Sequence, residues 1–138
     1  MPLVVDASVA VKWLLPEVHS LAARRILDAD EVLLAPDLLW AEVGNVLWKR
    51  CRSGDLTRDE VRDLLRDFRR LPVTTVPVKE LVVEAMEIAV RFDRSIYNSL
   101  YLALAVTREC RLVTADRAFC SILKRTPLAA SLCWVEDA

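Results

Sequence analysis

A chain of 138 residues, 54% hydrophobic and 28% charged with only 2 Gly and 6 Pro, has the composition of one ordered globular domain rather than a disordered or collagen-like polymer. Its 19 basic and 20 acidic residues leave a net charge of −1, so no global field steers it to a polyanion, and any nucleic-acid contact must use a local patch. Charged or polar residues interrupt every apolar run short of the roughly 18 residues that cross a bilayer. The segment Met1 to Asp6 lacks the basic flank and cleavage site of a secretory leader, so the expected address is the cytoplasm, without membrane association. Cys51, Cys110, Cys120 and Cys133 form no Cys-x-x-Cys pair and are expected to be reduced. The single histidine, His19, has no zinc-ligand partner and no nucleophile elbow to complete a triad, and is expected as an exposed helix residue.

Short apolar runs alternate with longer helical segments, which predicts an α/β domain with a parallel sheet between helices. Leu3-Val4-Val5 reads as a buried first strand, followed by a helix from about Ser8 to Leu15 that stops at Pro16. Residues 19 to 29 have helical spacing, and Val32 to Ala35 form a second strand ended by Pro36. A helical hairpin spans about 37 to 71. Its first arm begins near Asp37, runs to about Arg52 and is stopped by Gly54; its second opens on a capping box, Thr57 with Glu60, and carries Val61, Leu64, Leu65, Phe68 and Leu71 as one stripe. Val73 to Val76 is a third strand, and a helix from about Lys79 to Phe92 follows Pro77. The segment from about Ile96 to Glu109 is apolar nearly all round, as a helix buried at the centre would be. Arg111 to Thr114 is a fourth strand, Asp116 to Arg125 a helix, and Leu132 to Val135 a final strand. There is no internal repeat, and Trp13 and Trp134 are expected in the core.

Two acids occupy the same slot: Asp6 directly follows an apolar strand and Asp116 lies two residues beyond another. In an open parallel sheet the crevice outside the strands' carboxyl ends is the usual ligand site, so both are expected to point into one pocket; capping of the helices that follow is the alternative. Glu42 lies among apolar residues inside the hairpin's first helix, where a core-facing carboxylate implies a metal, a cation or a raised pKa. Asn45 falls on the same face, three residues on. Oxygen-only ligands select hard cations such as Mg²⁺ or Mn²⁺, which points to metal-assisted phosphoryl chemistry.

Four segments in order, VVDASVAVKWLLPE, LLWAEVGNVL, IYNSLYLALA and LVTADRAF, give the whole chain a resemblance to the PIN-domain family, in particular to the VapC-type ribonuclease toxins of prokaryotic toxin–antitoxin pairs. The resemblance implies a single PIN-like domain over 1–138, a three-layer α/β/α sandwich around a central parallel sheet, and a metal site of four acidic positions. Three of these correspond to Asp6, Glu42 and Asp116, expected to hold Mg²⁺ or Mn²⁺ and to activate water for in-line attack on RNA, leaving a 5′-phosphate and a 3′-hydroxyl. Small hydroxyl residues near the family's site correspond to Ser8 and Thr114. The fourth position departs from the pattern, because Tyr-Asp-x-Leu-Tyr reads here as Tyr97-Asn98-Ser99-Leu100-Tyr101. A neutral amide still offers an oxygen, but the lost charge weakens metal binding. Retained activity, a weakened or silent nuclease, and an Asp replaced by Asn are all compatible with it, as is a plain solvated first helical turn after Ser95. Asp93 reads as a surface loop residue.

Between Lys49 and Arg70 there is a local excess of three positive charges. Arg62 and Arg66, one turn apart, are candidates for RNA phosphates, but interleaved Asp59, Asp63 and Asp67 favour a salt-bridged, solvated face. The hairpin also resembles the region where VapC proteins dimerise and receive a small VapB-like antitoxin, and Trp40, Trp48 and Phe68 serve either that interface or the core. The leading expectation is a homodimeric, metal-dependent endoribonuclease toxin; the alternative is a catalytically silent PIN-fold protein that binds RNA or an antitoxin. A phosphatase using an aspartyl phosphate is disfavoured because Asp6-Ala7-Ser8 lacks the second Asp, and only Gly44 and Gly54 are present to build a phosphate-cradling loop.

Overall fold

The computed structural model describes residues Met1–Ala138. Five strands, β1 (Leu3–Val5), β2 (Leu33–Pro36), β3 (Val73–Val76), β4 (Arg111–Thr114) and β5 (Leu132–Trp134), form one all-parallel sheet in the order β3-β2-β1-β4-β5. The chain steps from β1 outward to β3, then crosses back to β4 on the other side of β1. Right-handed crossovers in opposite directions put helices on opposite faces. Accordingly α1 (Ala7–Leu14) packs on both α2 (Ser20–Asp28) and α3 (Leu38–Arg52), and α3 on α4 (Arg58–Phe68), while α5 (Val82–Phe92) packs on α6 (Ile96–Thr107), which lies across β1, β2 and β4. A seventh helix, α7 (Arg117–Leu123), packs on β5. No helix is long and apolar enough to cross a membrane.

Central strands and α6 are buried as their apolar runs require: Val4, Val5, Leu112, Val113, Leu102 and Leu104 are fully enclosed. Helix ends follow local chemistry. The Thr57–Glu60 capping box forms both of its hydrogen bonds, and Gly54, at φ +90°, takes the left-handed conformation just beyond α3. Several boundaries differ from the sequence reading. Asp37 does not cap α3; its Oδ1 accepts the Val78 N–H at 3.0 Å, so the residues after Pro77 form a 3₁₀ turn (Val78–Glu80) and α5 starts only at Val82. Helix α6 ends at Thr107, before Glu109 turns left-handed at φ 52°. Helix α7 is shorter than the predicted 116–125, Pro36 closes β2 rather than following it, and Val135 leaves the last strand for a 3₁₀ turn. In α4 only Phe68 of the predicted stripe is fully buried; the others are half-buried.

One buried hydroxyl is unsatisfied: Ser99 Oγ, on fully buried α6, has no hydrogen-bond partner. Replacing it with Ala removes an unmet polar group and improves helix propensity, so Ser99→Ala is expected to raise unfolding free energy by about 1 kcal/mol in urea denaturation.

Candidate active site

The sheet order reverses direction between β1 and β4, and the crevice at the carboxyl ends of that pair is where a doubly wound fold leaves room for a ligand. Asp6 and Asp116 stand there. Both are N-caps: Asp6 Oδ1 accepts the Val9 N–H at 3.3 Å and Asp116 Oδ1 accepts the Phe119 N–H at 3.1 Å, so the capping expectation is met by both side chains. Ser8 and Thr114 join the two. Ser8 Oγ donates to Asp6 Oδ1 at 2.5 Å and accepts the Ala115 N–H at 2.9 Å, while Thr114 Oγ1 accepts the Asp116 N–H at 3.1 Å and lies 3.3 Å from Ser8 Oγ. With Ser8's single proton committed to the Asp6 carboxylate, Thr114 is the donor in that last contact. The hydrogen bonds therefore run in one direction, from the Asp116 backbone through Thr114 and Ser8 to Asp6.

Burial dominates the electrostatics of Asp6, which is 6% exposed: loss of solvent pushes its pKa up to about 6, against the lowering effect of hydrogen bonds led by the Ser8 hydroxyl. No Lys, Arg or His nitrogen lies within 4 Å of Asp6, Glu42 or Asp116.

Glu42, half-buried on α3, is not partnerless as its sequence context implied. Tyr101 of α6 donates its phenol to Glu42 Oε1 at 2.5 Å, a bond that ties the two helical layers together. Burial, then that bond and the charges of Glu42 and Asp6, push the Tyr101 pKa above the ordinary phenol value, so it stays a donor. Sequence reasoning gives Tyr101 no role beyond a buried helix; its position one turn beyond Asn98 is the available signal. Asn98 occupies the first turn of α6, half-buried, with its N–H capped by Ser95 Oγ at 3.1 Å. Asn45 is exposed and makes no hydrogen bond with Glu42.

The structure thus brings Asp6, Ser8, Thr114 and Asp116 together and adds Glu42 through Tyr101, without closing any three carboxylate, thiol or imidazole groups into a ready metal cage. Other expectations shift. Arg62 pairs with Asp59 at 3.3 Å, but Arg66 has no carboxylate within 4 Å, so only one rung of the expected ladder forms, and neither arginine bonds a site residue. Trp40 and Phe68 pack edge to face at 4.9 Å while Trp48 is exposed; Trp13 is buried and Trp134 only half-buried. His19 is not an exposed helix residue: it is the left-handed N-cap of α2, half-buried, hydrogen-bonded to Glu136 at 2.7 Å and edge-on to Trp134.

The PIN domain family model matches residues 3–124. The chain belongs to the PIN-domain family. This PIN domain is 35% identical over 121 residues to Ribonuclease VapC3 of Pyrobaculum aerophilum, spanning 85% of this chain and 91% of that protein. It is 38% identical over 114 residues to Ribonuclease VapC9 of Mycobacterium tuberculosis, spanning 83% and 85%. A solved structure of VapBC2 from Rickettsia felis, bound to a DNA fragment from its promoter, shares the fold with a TM-score of 0.69 at 13% identity, over 97% of this chain and 98% of that one.

Two outcomes follow from the geometry of this PIN domain. Because the folded state raises the Asp6 pKa, it binds more protons than the unfolded state, so stability falls as pH rises from about 4 through 6. Denaturation of the metal-free protein against pH is expected to show this loss, up to about 3 kcal/mol, with Asp6→Asn removing it from the difference curve. Tyr101→Phe deletes the bond to Glu42 and is expected to cost about 1–2 kcal/mol in the same assay.

Proposed function

We propose that this PIN domain is a metal-dependent endoribonuclease of the VapC kind, cutting RNA phosphodiesters with water. The observation that carries the reading is the hydrogen-bonded end of the sheet at its reversal point: Asp6 and Asp116 are linked there through Ser8 and Thr114, and Glu42 is bonded to Tyr101, with no cation of the protein against any of the three, in a chain whose relatives are named ribonucleases. An all-oxygen donor set with unneutralised charge fits a hard divalent cation, Mg²⁺ or Mn²⁺. Asp6, Glu42 and Asp116 would hold it, and Asn98 would add an amide oxygen. When bound, such an ion supplies Lewis-acid stabilisation of phosphate charge and acidifies water.

The chain's own residues prepare this chemistry. The Ser8 and Val9 hydrogen bonds to Asp6 both fall on Oδ1, and the Phe119 bond to Asp116 falls on Oδ1, which fixes each carboxylate plane while Oδ2 makes none within 3.5 Å. Ser8 holds Asp6 in orientation, and Tyr101 does the same for Glu42. Above its pKa of about 6, Asp6 carries the charge a cation needs. The cost of burying that charge alone makes a cation the natural counterpart.

The same reading includes partners. A small VapB-like antitoxin is the proposed occupant of the groove between α3 and α4, about 420 Å³ with exposed Trp48 on its wall and Arg58 and Arg62 at its rim. A second copy of the chain is proposed against the exposed stripe Val83, Met86 and Val90 on α5. The cytoplasm is the proposed location, where the four cysteines would stay reduced.

The neutral Asn98 favours one second reading, a PIN-fold protein that binds RNA or an antitoxin without cutting. An RNA panel incubated with purified, antitoxin-free protein, with and without Mg²⁺ or Mn²⁺, separates the two. The nuclease reading expects divalent-dependent cleavage by the parent chain, its loss in Asp6→Ala, and metal affinity tighter by about tenfold in Asn98→Asp. Cleavage by Asn98→Asp alone would establish the second reading.

A further inference from the structure

Beyond the carboxylates, the rim of the crevice holds an aromatic and cationic surface with no part in the chemistry above. β4 and β5 are paired in register with Thr114 opposite Trp134, so the indole sits one strand over from the hydroxyl that supports Asp6 and Asp116. Arg117, directly after Asp116, lays its guanidinium over the Trp134 ring, 3.9 Å from the centroid. His19 meets the same ring nearly perpendicular to it, centroids 5.1 Å apart, and Glu136 is occupied by His19 at 2.7 Å and Arg25 at 3.4 Å, which draws its pKa below the usual carboxylate range. Glu136 is therefore committed away from Arg117.

Arg117 and Lys124 have no carboxylate within 4 Å. Together with Trp134, Ser121 and the apolar Leu132 they line a groove of about 270 Å³ whose walls contain no acidic residue. Two cations free of carboxylate partners thus stand beside one half-buried indole. Such a combination matches the two parts of a nucleotide: a flat base for the aromatic and guanidinium planes, and a phosphate for the charges.

We infer that the Trp134–Arg117–Lys124 groove is a subsite for a nucleotide of single-stranded RNA next to the scissile phosphate, where Trp134 and Arg117 stack the base and Lys124 meets a backbone phosphate. The inference rests on the nuclease reading and adds to it how the strand is held. Arg117 couples the two, because it follows Asp116 in the first turn of α7, and a strand seated on the stack is directed across the carboxyl ends of β5 and β4 toward Asp6. Trp134, Arg117 and Lys124 are positioning residues in this scheme; none of them exchanges a proton or a bond with the substrate. The competing role is that of a clamp, with Arg117 and His19 pinning the Trp134 ring and the 3₁₀ turn Val135–Asp137 that follows it.

The deciding experiment is equilibrium binding of a fluorescein-labelled, mixed-sequence single-stranded RNA of about eight nucleotides, without divalent cation so that no turnover occurs, to the parent chain, Trp134→Leu, Trp134→Phe, Arg117→Ala and Lys124→Glu. Trp134→Leu is expected to raise Kd about tenfold and Trp134→Phe far less, since a phenyl ring keeps the stacking face. Lys124→Glu is expected to raise Kd by at least about tenfold and to lower the salt dependence by about 0.7 in log–log slope, as one phosphate is no longer neutralised. Lys124 is exposed and unpaired, so its variant reports on binding even where Trp134→Leu fails to fold. A clamp alone predicts the opposite split: melting temperatures fall for Trp134→Leu and Arg117→Ala while Kd and salt slope match the parent in every folded variant, which overturns the subsite and leaves the nuclease reading standing. A parent chain that binds no RNA overturns the subsite, while the nuclease reading is decided separately by divalent-dependent cleavage.

Discussion

A carboxylate withdrawn from water without a protein cation beside it is the constraint around which this molecule is organised. Asp6 sits at the end of the central strand because Val4 and Val5 must be buried on both faces of the sheet, and the residue that follows emerges where the chain order reverses. Its position is a consequence of the core. Holding charge there requires donors, and the nearest available are the hydroxyl two residues on and the threonine that ends the neighbouring strand. Two segments distant in sequence, the β1–α1 junction and the end of β4, are locked by that need.

Structural and functional demands fall on the same atoms without competing. A helix needs an acceptor for its first amides and a cation needs charged oxygens, and a carboxylate has two oxygens to divide between them. Asp6 and Asp116 each use Oδ1 for the helix. Capping also fixes the side-chain rotamer, so the remaining oxygen is held in place before any ligand arrives. A short hydroxyl network tuned in this way resists drift more than a set of freely rotating side chains would.

Much of this is legible in the chain. The alternation of apolar runs and helical periods locates every strand to within a residue, and the position of acids after strands 1 and 4 locates the crevice, because both patterns are local and set by burial. What escapes depends on partners distant in sequence. Tyr101 lies in a segment so uniformly apolar that its hydroxyl carries no pattern of its own, and its partner Glu42 is 59 positions away. Asp37 has the look of a cap for α3 and instead serves Val78, 41 positions on, which no short window can register. His19 reads as surface because its neighbours are polar; the burying surface comes from the last strand.

Helix α3 carries Glu42 in its N-terminal half and Trp48 in its C-terminal half. Six residues of α-helix span about 9 Å and behave as a stiff rod over that length. The groove at Trp48 and the carboxylate bonded to Tyr101 are therefore two ends of one rigid segment. A body that seats in the groove and tilts α3 by even a small angle displaces Glu42 relative to Asp6, which is anchored separately to β4.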